Sequence, residues 1–106
     1  MSDQPNVVVL GSANLDIVVP VPHHPTIGET VLGGRHDRIP GGKGANQAVA
    51  AARLGARVAM VGRVGSDDAG RTLRTALQDA GVDCKHLAVD DQAPSGLALI
   101  GVNRSG

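Results

Sequence analysis

The chain has 106 residues, zero formal net charge, 42% hydrophobic residues and no Phe, Trp or Tyr, so it makes one domain or part of one. Balanced charge with scattered arginines removes the bulk electrostatic case for nucleic acid, and without an aromatic ring nothing can stack on an unpaired base. No apolar run approaches the roughly 20 residues needed to cross a bilayer, and the N-terminus lacks a basic signal-peptide region, so a cytoplasmic location with no membrane partner is expected.

Val7-Val8-Val9-Leu10 is an apolar, largely β-branched run stopped by Gly11-Ser12, the pattern of a strand buried on both faces of a parallel sheet. Ile17-Val18-Val19 and Val21 continue as extended chain, but Pro20, Pro22 and Pro25 push them to an edge or into a separate small sheet. Thr30-Val31-Leu32 and Arg38-Ile39 read the same way. From Ala45 the period changes: Ala45, Ala48, Val49 and Ala52 form a small-residue stripe on one helix face, ended by Gly55. Val58 to Val61 is a further strand. Ser66-Asp67-Asp68 caps a second helix whose apolar face is Ala69, Leu73, Ala76, Leu77 and Ala80, ended by Gly81. Leu87 to Val89 and Leu97 to Val102 are strands, and Asn103-Arg104-Ser105-Gly106 has the composition of a hairpin turn. Alternating strands and helices predict an α/β fold with a mostly parallel, Rossmann-type sheet flanked by helices. The Pro/Gly-rich segments predict a second, small antiparallel layer built from residues near 17–40 and 97–106.

The densest chemical signal is Pro40-Gly41-Gly42-Lys43-Gly44-Ala45-Asn46-Gln47-Ala48, a glycine turn running into a helix N-terminus. Glycines let backbone approach a ligand, Lys43 adds a charged donor, and Asn46 adds a donor and an acceptor. It is not a Walker A loop, because Asp37 stands at the first glycine and Gly44 at the Mg2+-binding hydroxyl. Nor does Gly11-Ser12-Ala13-Asn14 match the dinucleotide fingerprint. Gly11 to Asp16 is the second signal, lying just past the first strand, where open α/β sheets place their ligand sites. Asn14 and Asp16 are two apart, so in extended chain they share a side and can bracket neighbouring hydroxyls. An ionised carboxylate accepts and cannot donate, which suits hydroxyl groups better than phosphate.

Gly11-Ser12-Ala13-Asn14-Leu15-Asp16, Pro25-Thr26-Ile27-Gly28-Glu29-Thr30 and Gly41-Gly42-Lys43-Gly44-Ala45-Asn46-Gln47-Ala48, in that order, resemble the ribokinases within the PfkB-type carbohydrate kinases. The resemblance covers essentially the whole chain and implies the fold of those kinases with their small β lid. It implies transfer of the γ-phosphoryl of ATP to the 5-hydroxyl of ribose, with Mg2+ on the phosphates and a monovalent cation, K+, as activator. Asn14, Asp16, Gly42, Lys43 and Asn46 match the family's sugar contacts, and Leu15, Gly41, Gly44 and Ala45 complete the candidate substrate-binding set. The lid is implied to exclude water over the sugar and to pair with the lid of a second subunit, giving a homodimer.

The family's second signature, D-T-x-G-A-G-D, which carries the general base, is absent; Asp68-Ala69-Gly70 and Asp79-Ala80-Gly81 are decoys at helix ends. The chain is therefore expected to be the N-terminal part of a longer kinase, with no catalytic residue of its own and inactive alone. Alternatives are another sugar or nucleoside kinase of the same family, or a non-catalytic sugar-binding or dimerising module. His23, His24 and His36 complete no metal-ligand set. Cys84 reads as a small packed residue, Glu29 as a lid or hinge residue or a solvated loop charge, and Arg35, Arg38, Arg53, Arg57, Arg71 and Arg74 as solvated faces.

Overall fold

The computed structural model describes residues 4–106. Its elements run β1 (Val7–Leu10), β2 (Asn14–Pro20), β3 (Asp37–Gly41), α1 (Lys43–Arg53), β4 (Val58–Gly65), α2 (Asp68–Asp79), β5 (Leu87–Asp90) and β6 (Gly96–Val102). They form two three-stranded sheets, ordered β1-β4-β5 and β3-β2-β6.

The first sheet is parallel throughout, with Val7 opposite Val58 and Gly62 opposite Leu87. Val9, Val58, Met60, Val64 and Leu87 pack with Ala45 and Ala48 of α1, Leu73 and Leu77 of α2, and Val82 and Cys84 of the following turn. The alternate residues of β1, Val8 and Leu10, are 61% and 82% exposed. The helices thus cover one face, and β1 is not buried on both. Two successive crossovers of the same hand, advancing in one direction along a sheet, lay their helices on the same side. The small-residue stripe explains how close α1 sits: Ala48 is fully buried, where a larger side chain would hold the helix off the strands.

Both helices end as their glycines predict. The amides of Gly81 and Val82 donate back to the carbonyls of Gln78 and Leu77, and those of Gly55 and Ala56 to Ala52 and Ala51, the paired closure of a Schellman motif.

The second sheet departs from expectation in two ways. It is mixed rather than antiparallel: β2 runs antiparallel to β3 but parallel to β6, over Asn14 opposite Gly96 through Pro20 opposite Val102. Only a tight turn obliges neighbours to be antiparallel, and the whole α/β layer intervenes between β2 and β6. The separate small sheet is as expected, with β2 at its centre; its proline falls at its last residue, and Pro40 lies on the outer strand β3. Thr30-Val31-Leu32 joins no strand. The final turn is as read, with the Ser105 amide donating to Asn103 Oδ1 at 3.0 Å.

Arg74 is bound rather than solvated, and the exposed Arg57 and Arg38 each carry a partner. Arg74 donates to the carbonyls of Cys84 (3.1 Å) and Leu87 (2.5 Å), tying α2 to the start of β5. Arg57 donates to the Gln4 carbonyl, and Arg38 pairs with Asp68 at 3.0 Å. Cys84 is packed as expected, and burial pushes its thiol up.

Asp67 caps α2 by accepting from the Gly70 amide at 2.8 Å. It also accepts from the amide of Ser95 at 2.9 Å and from its hydroxyl at 2.7 Å, 28 residues away. The Ser95 amide first, then its hydroxyl and the Gly70 amide, hold the Asp67 carboxyl below the usual range. The Gln92 amide and Arg63 do the same for Asp90. A carboxyl whose pKa is depressed by folding contributes stability that is complete above its unfolded pKa of about 3.9 and lost as pH falls through the folded value. Asp67→Asn should therefore lower the urea midpoint at pH 7, and the gap from wild type should shrink as the pH is taken below about 4. A gap of equal size at pH 7 and pH 3 would contradict this.

Candidate functional site

The two motifs singled out in the sequence meet backbone to backbone. The Ala45 amide donates to the Ser12 carbonyl at 2.9 Å, joining the first turn of α1 to the segment between β1 and β2. Gly44 lies so close that an added Cβ would stand 2.7 Å from the Ser12 nitrogen and 2.8 Å from the Gly11 carbonyl carbon. Gly42, the residue before α1, has φ +96° and faces the Ser12 carbonyl oxygen at 2.8 Å by the same measure. A side chain there would meet both a strained backbone and a clash. The glycines of this loop are thus required by contact between two main chains, and part of the helix N-terminus is spent on that contact instead of on a ligand.

β2 carries Asn14 and Asp16 up from this junction, both half-buried and on the same side of the strand. The side chain of each reaches over a glycine of a neighbouring strand. A Cβ on Gly41 of β3 would stand 2.5 Å from Asp16 Oδ2, and one on Gly96 of β6 would run into Asn14 Oδ1. Lys43 and Asn46, one helical turn apart at the start of α1, are exposed. Among the described residues none of these four side chains has a hydrogen-bond or ion-pair partner. By contrast Asp67, Asp68, Asp90, Arg38, Arg63 and Arg74 are all engaged.

The remaining candidates have other places. Leu15 is 1% exposed and Ala45 5%, so their side chains serve packing, while Gly41 and Gly44 are buried and supply close approach. A cavity of about 340 Å³ between the two helices is lined by Pro40, Asn46, Val49, Ala50, Arg53 and Ala76. It takes in Asn46 but not Asn14, Asp16 or Lys43. Among the described residues no three His, Cys, Asp or Glu side chains cluster as metal ligands. His23 instead lies 3.1 Å from Glu29, which also accepts from the Thr26 amide and so braces an exposed turn. Sequence reasoning missed the junction of Asp67 with Ser95. The cap at Asp67 is legible locally, but its partner 28 residues on has no local signature.

One carboxylate that only accepts, two carboxamides that donate and accept, and one ammonium that only donates suit a neutral, hydroxyl-rich ligand. A phosphate would find one cation beside an unpaired carboxylate.

The sequence matches the family model described as "pfkB family carbohydrate kinase" over residues 4–106. It is 47% identical over 97 residues to the ribokinase of Haemophilus influenzae, covering 92% of this chain and 32% of that protein. It is 36% identical over 98 residues to the aminoimidazole riboside kinase of Salmonella typhimurium, covering 92% of this chain and 27% of that one. Among solved structures, the ribokinase of Arabidopsis thaliana complexed with ribose and ATP superposes with a TM-score of 0.87 at 38% identity, over 96% of this chain and 33% of that one. The chain thus spans about a third of the length of the relatives it matches. No described helix is long and apolar enough to cross a membrane.

Proposed function

The chain belongs to the pfkB family of carbohydrate kinases, and from that premise we propose that it forms the sugar-binding part of a ribokinase. The enzyme would transfer the γ-phosphoryl of ATP to the 5-hydroxyl of D-ribose. The observation that carries this reading is the gathering of Asn14, Asp16, Lys43 and Asn46, all without protein partners, around one glycine loop. Asp16 accepts from two neighbouring sugar hydroxyls, Asn14 and Asn46 each give and take a hydrogen bond, and Lys43 donates to a ring or hydroxyl oxygen. Gly42, pressed against the Ser12 main chain, brings Lys43 and Asn46 to the β1 to β2 segment that leads into Asn14 and Asp16.

The sheet β3-β2-β6 acts as a lid over that surface. Its closure holds the sugar hydroxyl in place for attack and keeps water, the competing acceptor, away. The outer strand β6 leaves Leu97 56% and Leu99 80% exposed, which supports pairing of the lid with a second subunit in a homodimer. ATP would be the co-substrate, with Mg2+ supplying charge neutralisation on its phosphates and a monovalent cation such as K+ as activator. No residue described here is assigned to either cation. A cytoplasmic setting fits the single, unpaired cysteine.

A second reading, a riboside or other sugar kinase of the family, is favoured by the Salmonella relative. The test is to express the reading frame that encodes the chain and compare ATP-dependent turnover of ribose, 2-deoxyribose, fructose, adenosine and aminoimidazole riboside. Ribose should lead, with formation of ribose 5-phosphate, while the 106-residue chain assayed alone should transfer no phosphoryl group. Turnover of the riboside with none of ribose would replace the first reading by the second. Sugar binding by the chain with no kinase activity from the frame would leave a binding module.

A further inference from the structure

The N-terminus of α2 grips both outer strands of the small sheet through two consecutive residues. Asp68 accepts from Arg38 of β3 at 3.0 Å, in an exposed pair. Asp67 accepts from both the amide and the hydroxyl of Ser95, the residue immediately before β6. Ser95 is 6% exposed, and its hydroxyl also accepts from the Gly65 amide at 2.8 Å, at the end of β4. One carboxylate and one hydroxyl therefore join the end of a parallel strand, the start of a helix and the start of a strand in the other sheet.

The next residue, Gly96, pairs with Asn14 and lies directly beneath its side-chain oxygen. The path from Asp67 to Asn14 is thus Ser95, then Gly96, with no flexible side chain between. We propose that Asp67 is a positioning residue: by holding Ser95 it sets where β6 begins, and so fixes Gly96 under Asn14 and the height of Asn14 above the glycine loop. Asp67 touches no sugar in this scheme and acts only through β6. The exposed pair of Asp68 with Arg38 steadies the opposite strand and is the weaker of the two grips. The inference rests on the reading of Asn14 as a sugar contact.

Asp67→Asn is the informative variant, because Asn caps a helix as well as Asp does but cannot accept from both groups of Ser95. Measured in the protein expressed from its own reading frame, it should raise the KM for ribose about tenfold, the order of one neutral hydrogen bond from a displaced Asn14, and leave the KM for ATP unchanged. Hydrogen exchange followed by mass spectrometry should quicken in the peptide covering 96–102 and stay as in wild type for 43–53. Ser95→Ala should reproduce both effects, and Ser95→Thr, which keeps the hydroxyl, should restore both. Faster exchange with an unchanged ribose KM would make the junction structural only, and unchanged exchange in 96–102 would show that Asp67 does not hold β6; either overturns the proposal. A wild type inactive on ribose overturns the earlier reading instead, and the exchange comparison, which needs no sugar, still decides whether Asp67 holds β6 under Asn14.

Discussion

Replacing Asp16 with Asn should weaken ribose binding about 100-fold or more while leaving the melting temperature almost unchanged. The substitution conserves shape and removes one acceptor and the charge. Two neighbouring sugar hydroxyls need two acceptors, and each hydrogen bond to a charged group is worth about 1.5–3 kcal/mol, so losing the better part of two accounts for the magnitude. Stability should not follow, because Asp16 is paired with no cation in the protein and its carboxylate rests against Gly41, where no side chain depends on it. Asp37→Asn, at an exposed position of β3, supplies the control and should bind ribose as wild type does. Calorimetric titration of ribose into the protein expressed from its full reading frame is the measurement. A dissociation constant within threefold of wild type would remove Asp16 from the site.

Gly44→Ala should destabilise the protein, against what helix propensity says. Alanine in place of glycine inside a helix ordinarily gains about 1 kcal/mol. Here the new methyl would stand 2.7 Å from the Ser12 nitrogen and 2.8 Å from both the Gly11 carbonyl and α carbons. All three are backbone atoms, held by strand pairing on one side and by the Ala45 to Ser12 hydrogen bond on the other, so none can turn aside as a side-chain tip could. Overpacking of this kind costs about 1–3 kcal/mol, and at a rigid contact the upper end applies. A net loss of about 2 kcal/mol corresponds to a melting temperature lower by about 10 °C in a domain of this size. The same shift lifts Lys43 and Asn46 away from Asn14 and Asp16, so ribose affinity should fall too. A melting temperature at or above wild type would mean that the loop and the β1 to β2 segment are not in contact.

Periodicity decided most of the secondary structure. The stripe of Ala45, Ala48, Val49 and Ala52, the cap at Asp67 and the stops at Gly55 and Gly81 are local signals, each acting within a turn or two of chain, and the structure bears them out. The motifs that carry the family are local as well: Gly11 to Asp16 and Gly41 to Ala48 are short runs whose residue types state the chemistry. A run of β-branched residues, however, does not say whether one face or two will be covered. Val8 and Leu10 look like Val7 and Val9 in the sequence and differ only because helices pack on one side. Equally, an arginine that ends on a carbonyl, as Arg74 does, reads like one that ends in water.

By itself, then, the sequence determined the α/β alternation, the helix ends and the family, because each is written in residues near one another. Only the tertiary structure decided that β6 runs parallel to β2, that glycines 11, 42 and 44 exist to let two main chains touch, and that Ser95 closes on Asp67. Those contacts join residues about 30 apart or more along the chain. They depend on packing of α2 against the strands through Leu73, Leu77 and Met60, which no local pattern announces.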